Sequence, residues 1–269
     1  AARKAGFENI NVDIMSALPG QTLAGYRQTL ERILSLEPPP EHISAYSLIL
    51  EEGTPLFERY EEGSLDIPDE DTDMGMYELT QEILAERGYR RYEISNYARE
   101  GYECRHNCGY WRRRCYLGFG LGAASLVDNV RFRNGADLRA YLADPLGCRE
   151  EEQILSRQEQ MEEFMFLGLR MRSGISCGEF RQLFGQGIEE IYGDVIDKNI
   201  RDGLLELWPE GEGAGESLRR PGGREDRGYM SAQDGQDRRH ERGHVRTGRL
   251  ALTEKGLDLS NYVMAQFLL

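Results

Sequence analysis

The chain has 269 residues, which is long enough for one large domain or two smaller ones with a buried core. Its formal net charge of −14 argues against a surface that binds nucleic acid or anionic lipid, although a local basic patch is compatible with it. Five cysteines form no regular disulfide framework and favour reduced thiols, as in a cytoplasmic protein. No apolar run approaches the ~18 residues of a membrane-spanning helix.

The first six residues predict the end of a helix that Gly6 terminates, since glycine is the usual residue after a helix C-terminus. They contain neither an initiator methionine nor the apolar core of a signal peptide. We therefore expect the chain to begin inside an element and to be a fragment.

Residues 7–50 predict a strand–helix–strand unit. Residues 7–14 alternate as a strand, and Asp13 near its end is either exposed or a ligand group, because an unpaired buried carboxylate is costly. Thr22 can cap a helix that runs to about Leu36, and residues 42–50 form the second strand. Strands connected in this way are parallel with a right-handed crossover.

An amphipathic helix is predicted to begin at Asp69 and to end near Arg87, before a candidate strand at residues 89–95. Residues 104–111 then read Cys-Arg-His-Asn-Cys-Gly-Tyr-Trp. Imidazole is the commonest protein metal ligand and an axial ligand of haem, and the two aromatic rings suit a planar macrocycle. His106 is thus a possible haem iron ligand.

Three other interpretations of this motif are weighed. It could be a packed strand end or turn, with His106 bonded to a backbone carbonyl. Cys104, His106, Cys108 and Cys115 have zinc-ligand chemistry but lack the usual paired spacing. An iron–sulfur motif would need cysteine at position 111, where tryptophan stands, so that interpretation fails.

Three arginines and a glycine-rich stretch follow the motif. Residues 112–114 are either a solvated edge or a clamp for carboxylates, which arginine binds well. Residues 117–125 contain glycine at alternate positions, which does not match a dinucleotide-binding loop. The spacing favours close backbone approach to a ligand or to a neighbouring strand.

The remainder predicts a helical domain after a boundary near residues 144–147. Three helices are expected: the first at about 156–171, a short second one that begins with a capping box at Ser176, and a third at 188–201. Strands at 204–207 and 249–252 follow them. This order is the winged-helix plan, but its acidic helices make DNA binding a weak interpretation. Residues 208–248 are rich in glycine and charge and predict a disordered insertion, and one or two short helices end the chain.

Six segments together resemble the radical-SAM coproporphyrinogen III oxidase-like family. The resemblance covers residues 1–207 and resumes near 249, and the His-Asn-x-x-Tyr-Trp motif narrows it to the haem chaperone (HemW) branch. The segments are Asn11–Ile14, Leu18–Thr22, His42–Leu48, Glu93–Ala98, Cys104–Trp111 and Leu117–Ser125.

The resemblance implies an α/β fold: the C-terminal part of a partial (β/α)₆ radical-SAM, TIM-like barrel in residues 1–145, and a small helical, winged-helix-like domain in residues 146–269. It implies haem contacts at His106, Asn107, Tyr110 and Trp111. It also implies that Asp13, Ile49 and Ala124 contact S-adenosylmethionine. The family further uses a [4Fe-4S] cluster.

The sequence departs from the family pattern in three places, one of which is the insertion at 208–248. The Cys-x₃-Cys-x₂-Cys cluster motif would precede residue 1, so we expect this chain alone not to hold the cluster. Stoichiometric iron and sulfide after anaerobic reconstitution would contradict this. Ser16-Ala17 also replaces the family's Tyr-Gly.

The implied function is a haem chaperone that passes haem to an acceptor protein. The alternatives are an oxygen-independent coproporphyrinogen III oxidase and an inactive fragment. Exposed barrel edges would favour pairing with another chain, for example as a homodimer.

Overall fold

A computed structural model describes residues 1–209 and 246–269. They form two compact units, Ala1–Arg105 and His106–Leu269. The predicted boundary at 145/146 falls inside the second unit, where strand pairing joins residues 130–134 to 149–154. The division at 145/146 therefore stays a prediction about the family's domains. Within the described residues, no helix is long and apolar enough to cross a membrane.

The first unit has a four-stranded sheet in the order β1-β2-β4-β3. Strands β1 and β2 pair in parallel, with Asp13 opposite Ser44, so the predicted strand–helix–strand unit is confirmed. Strand β4 runs antiparallel to β2 and β3. Within the predicted 89–95 strand, Arg90 and Arg91 pair with β4, and Glu93 forms a further β-bridge. After a 3₁₀ turn at Arg3–Ala5, the elements are β1 (Asn11–Ser16), α1 (Leu23–Leu34), β2 (His42–Ser47), α2 (Pro55–Glu61), α3 (Glu70–Glu86), β3 (Arg90–Arg91) and β4 (Asn96–Ala98).

Side-chain caps fix where the two long helices of this unit begin. The Thr22 hydroxyl accepts from the Gly25 N–H at 3.1 Å, and Asp69 accepts from the Thr72 N–H at 2.9 Å, as predicted. Both helices cover the sheet, and Tyr26 and Thr80 share a buried hydrogen bond of 2.8 Å between them. The hydrophobic core of this unit includes Ile14, Tyr26, Leu30, Ile43, Met76 and Leu84.

Ala17, which follows β1, has a left-handed backbone with φ 56°. This conformation costs an L-residue about 1–2 kcal/mol, whereas glycine adopts it freely. Relief of that strain is offset by the loss of one buried methyl group, about 0.8 kcal/mol, and by the roughly 0.5–1 kcal/mol of conformational freedom that glycine adds to the unfolded chain. We therefore expect Ala17→Gly to leave the free energy of unfolding within about 0.8 kcal/mol of the parent value in urea denaturation.

The matched control for this prediction is Ala85→Gly, at an exposed position of α3. There glycine should lower the free energy of unfolding by about 0.5–1 kcal/mol, because it adds only conformational freedom to the unfolded chain. A loss at position 17 that is larger than the loss at position 85 would show that the backbone at Ala17 carries no strain.

The second unit has two three-stranded antiparallel sheets, in the orders β5-β6-β7 and β8-β10-β9. Its elements are α4 (Arg105–Trp111), β5 (Ala124–Val127), β6 (Val130–Asn134), α5 (Leu138–Ala143), β7 (Arg149–Ile154), α6 (Arg157–Gly168), β8 (Ile175–Ser176), α7 (Cys177–Phe184), α8 (Ile188–Arg201), β9 (Leu205–Trp208), β10 (Arg249–Leu252), α9 (Glu254–Asp258) and α10 (Ser260–Ala265).

The predicted order of three helices, a strand pair and two terminal helices is confirmed for the described residues. Ser156 and Ser176 cap α6 and α7, and Ser156 completes a capping box with Glu159. The predicted disordered insertion at 208–248 lies, apart from its two ends, outside the described residues.

An aromatic cluster forms the centre of the three helices. Phe180 is fully buried, and its ring centroid lies 4.8 Å from that of Phe184 and 5.5 Å from that of Phe164. Tyr192 extends the cluster from α8 to Phe267 near the C-terminus. Burial raises the pKa of the Tyr192 phenol, as expected when the charged form would lose its hydration.

Candidate functional site

The His-Asn-x-x-Tyr-Trp motif forms the seven-residue helix α4. The interpretation of this motif as a strand end or turn was therefore wrong. In a helix, residues four apart lie on the same face, so His106 lies above Tyr110 and Asn107 above Trp111. Cys108, between the two pairs, is 7% exposed and faces the interior.

An aromatic column connects His106 to the sheet of this unit. The His106 and Tyr110 ring centroids are 4.6 Å apart in an edge-on arrangement, and Tyr110 and Tyr116 are also 4.6 Å apart. Tyr116 exchanges two backbone hydrogen bonds with Leu126 in β5. The His106 side chain is exposed and hydrogen-bonds to no atom of the described residues, so its ring nitrogens are accessible to a ligand.

The C-terminus of α4 closes in a Schellman arrangement. Arg113 has φ 53°, its N–H donates to the Tyr110 carbonyl, and the Arg114 N–H donates to the Gly109 carbonyl at 2.9 Å. Glycine usually occupies such a position, and an arginine there requires support from its surroundings. That support is Glu163 in α6, whose carboxylate accepts from Arg113 at 2.7 Å.

Glu163 also accepts from Arg131 in β6 at 2.7 Å, while Arg113 donates to the Asn129 side chain at 2.9 Å. The Glu163 side chain is 8% exposed, and those of Arg113 and Arg131 are 13% and 40% exposed. One buried carboxylate thus joins the end of α4 to β6 and α6.

Trp111, two residues before Arg113, packs against another arginine. The Arg170 guanidinium carbon lies 4.2 Å from the Trp111 ring centroid, within cation–π distance. The indole Nε1 is buried and donates to no acceptor among the described atoms.

The glycine-rich stretch packs against β5, as its alternate spacing predicts. A Cβ on Gly118 would lie 2.3 Å from the Ala124 carbonyl oxygen, so only glycine fits. The Gly118 N–H donates to the buried Ser125 hydroxyl at 2.9 Å, and Asn134 donates to the Gly120 carbonyl at 2.8 Å. The close approach is therefore to a neighbouring strand.

The residues expected to contact S-adenosylmethionine lie in both units. Asp13 is exposed on β1, and Ile49, just after β2, is 78% exposed, both in the first unit. Ala124 begins β5 in the second unit and is exposed. Their roles stay predictions.

A chain of hydrogen bonds runs from the exposed Asp13 through the buried His42 to Cys104, the residue before α4. Asn11 donates to Asp13 at 2.7 Å, Nδ1 of His42 lies 2.7 Å from Asn11 Oδ1, and Nε2 lies 2.8 Å from the Tyr92 hydroxyl. The Cys104 N–H donates to Tyr92 at 3.2 Å. Burial lowers the pKa of His42, and the carboxylate of Asp13 among others acts in the opposite direction.

No group of three or more histidine, cysteine, aspartate or glutamate side chains in residues 1–209 and 246–269 could hold a metal ion. The zinc site considered for Cys104, His106, Cys108 and Cys115 is therefore not formed. No disulfide bond joins any of the five cysteines.

Several residues that lie close to the motif in space could not be inferred from the sequence around it. Glu163, Arg131, Arg170 and Arg249 lie far from it along the chain. The one available signal was Glu163, a carboxylate that interrupts the apolar run of α6 between Met161 and Met165.

Comparison with known proteins gives consistent results for sequence and fold. Residues 155–211 match the HemN C-terminal domain family. The heme chaperone HemW of Lactococcus lactis is 36% identical over 268 residues, which are 99% of this chain and 60% of that protein. HemW of Bacillus subtilis is 35% identical over 76% of this chain and 54% of its own length.

A mitochondrial protein and a solved enzyme structure are also similar to this chain. The mitochondrial radical S-adenosyl methionine domain-containing protein 1 of Danio rerio is 34% identical over 77% of this chain and 52% of its own length. The structure of coproporphyrinogen III oxidase (HemN) from Escherichia coli, a radical-SAM enzyme, superposes with a TM-score of 0.67 at 17% identity. That superposition covers 99% of this chain and 56% of the HemN chain, and it shows the fold.

The chain thus spans about half to three fifths of the length of these relatives. The predicted α/β fold, with part of a radical-SAM barrel and a HemN-type C-terminal domain, is confirmed. By sequence and by fold, this chain belongs to the radical-SAM coproporphyrinogen III oxidase-like family, among the homologues of the HemW heme chaperones.

Proposed function

We propose that this chain binds haem and passes it to an acceptor protein, as a haem chaperone of the HemW kind. The observation that carries this proposal is the exposed His106 imidazole on α4, stacked edge-on against Tyr110 with its ring nitrogens accessible. The HemW relatives, with 35% and 36% identity, support the assignment.

The residues of α4 fit a haem group. A bound haem would supply an iron with an open axial position, and a neutral imidazole is a suitable ligand for it. Tyr110 and Trp111 would offer aromatic surface along the macrocycle, and Asn107 an amide beside Trp111. His106 is the residue that we propose to hold the iron.

The test is a titration of the full chain with ferric haem, followed by the Soret absorbance. We expect saturable binding in the parent chain and loss of the Soret shift, or at least about a tenfold weaker Kd, in His106→Ala, because a coordinate bond is removed. His244→Ala, outside the described residues, is the control for histidine content. An unchanged Soret shift in His106→Ala, with circular dichroism showing a folded chain, would contradict the iron-ligand role.

A second candidate is oxygen-independent coproporphyrinogen III oxidase, which the fold match to HemN supports. That reaction requires a [4Fe-4S] cluster and S-adenosylmethionine, and the described residues hold no group of cysteines that could bind the cluster. Asp13, Ile49 and Ala124 remain our proposed S-adenosylmethionine contacts in the family. Protoporphyrinogen formation in an anaerobic assay would favour this candidate over the chaperone.

We also retain the proposals of a cytoplasmic location and of a homodimer. The location is supported by the free thiols, and the dimer by β1, which pairs on one side only within the described sheet. A monomeric mass in light scattering at high micromolar concentration would contradict the homodimer.

A further inference from the structure

A cavity of about 400 Å³ opens within the second unit, beside the C-terminus of α4. Its size lies within the range of small-molecule sites, about 300–1,000 Å³. Trp111 and apolar groups of α6 and β8, among them Phe164 and Ile175, form part of its wall. Four arginines also line it: Arg112, Arg113, Arg114 and Arg249.

Two of these arginines have fixed side chains. Arg113 pairs with Glu163 at 2.7 Å. Arg249 donates through Nε and Nη2 to the carbonyls of Ser173 and Gly174, each at 2.7 Å, so its charge has no carboxylate partner among these bonds.

The other two arginines have exposed side chains. Neither Arg112 nor Arg114 forms an ion pair within the described part of the chain. Glu179 is the one carboxylate among the lining residues. Four arginines against one carboxylate make this lining positively charged, whereas the chain as a whole has a net charge of −14.

The chemistry of this wall selects for planar carboxylates. Guanidinium groups form paired hydrogen bonds to carboxylate oxygens, and the low exposure of Arg113 and Arg249 preserves their orientation. The Trp111 ring adds a flat apolar surface beside these guanidinium groups.

Trp111 belongs both to this cavity and to the proposed haem-contact motif. We propose that the arginine cavity binds the propionate carboxylates of the porphyrin, with one edge of the ring against Trp111. This inference rests on the proposed function, and it makes Arg112 and Arg114 binding residues that determine specificity for carboxylate-bearing tetrapyrroles.

The test uses metal-free protoporphyrin IX and its dimethyl ester in the same detergent. Neither porphyrin contains iron, so coordination by His106 cannot contribute to binding, and only protoporphyrin IX carries free carboxylates. Binding to the full chain is followed by porphyrin fluorescence. We expect Arg112→Ala/Arg114→Ala to weaken protoporphyrin binding at least about tenfold, as expected for lost hydrogen bonds between charged groups, and to leave ester binding unchanged.

Arg27→Ala/Arg32→Ala is the matched control, since it removes the same charge from the exposed side of α1. It should leave both affinities unchanged. Equal affinity of the parent chain for acid and ester, equal weakening of both ligands in the cavity variant, or no binding of protoporphyrin would overturn the proposal. Selectivity for the acid together with an unchanged Soret titration in His106→Ala would instead support the cavity and refute the iron ligand.

Discussion

Replacement of Glu163 by alanine is expected to lower the free energy of unfolding by about 3–5 kcal/mol, because it leaves two arginines without their partner. Glu163 is 6% exposed, and its two oxygens accept separately from Arg113 and Arg131, each at 2.7 Å. The 40% exposure of Arg131 lets water solvate that charge, so the loss should fall near the lower end of this range.

The Arg113 side of this cluster should account for most of the loss. Its side chain is 13% exposed and its backbone has φ 53°, so without Glu163 the chain retains both a poorly solvated charge and a strained backbone. A double-mutant cycle with Arg113→Ala measures this coupling, and the double variant should lose less than the two single variants together. Urea denaturation followed by fluorescence gives the required free energies.

Asp202→Asn provides the control, because the Lys198–Asp202 pair on α8 is 46% and 47% exposed. Its loss should cost no more than about 0.5 kcal/mol. If Glu163→Ala lowers the free energy of unfolding as little as Asp202→Asn does, the Glu163 cluster stabilises the protein no more than an exposed ion pair. It then does not hold the end of α4.

The second large effect is expected for Phe180→Ala, with a loss of about 3–5 kcal/mol in the free energy of unfolding. Phe180 is fully buried, and its ring contacts three other aromatic rings. Truncation removes both the transfer energy of the ring and its edge-on contacts, and the surrounding large rings can close the resulting cavity only in part.

Leu183→Ala, on the same helix α7, is the matched control, because its side chain is 60% exposed. It should change the free energy of unfolding by less than about 0.5 kcal/mol. Thermal unfolding of the two variants separates the effect of core packing from that of helix propensity. A loss below about 1 kcal/mol for Phe180→Ala would mean that the three helices do not depend on the aromatic cluster.

The elements predicted correctly are those with local signals. Thr22, Asp69, Ser156 and Ser176 accept from backbone N–H groups three residues ahead, and the chain shows these caps directly. The parallel pairing of β1 and β2 follows from a short crossover with a fixed hand. Each of these features depends on neighbours within a few dozen residues.

Helix α4 was not predicted, because Gly109 and the aromatic residues around it are poor or indifferent helix formers. Its end is stabilised by Glu163, which is 50 residues from Arg113 and 32 from Arg131. The fold and the family could be inferred from motifs, and the run of arginines at 112–114 already suggested a clamp for carboxylates. The cavity that they line could not be inferred, because its other walls come from elements that are distant along the chain.

The hydrogen bonds that lead from Asp13 to Cys104 determine which ring nitrogen of His42 carries the proton. A carboxylate can only accept, so Asn11 turns its NH₂ group to Asp13, and its oxygen then faces His42. Nδ1 of His42 must therefore carry the ring proton, Nε2 accepts from the Tyr92 hydroxyl, and the Tyr92 oxygen accepts from Cys104.

A second ring proton would make Nε2 a donor, so the hydrogen bond to Tyr92 would have to reverse and the Tyr92 O–H would lose its acceptor on His42. This loss acts in the same direction as burial, which already disfavours the imidazolium. The charge of Asp13, on the exposed face of β1, thereby sets the tautomer of a buried histidine and the polarity of every bond up to the backbone of Cys104. Nitrogen-15 shifts of the His42 ring would show a protonated Nδ1 and a bare Nε2.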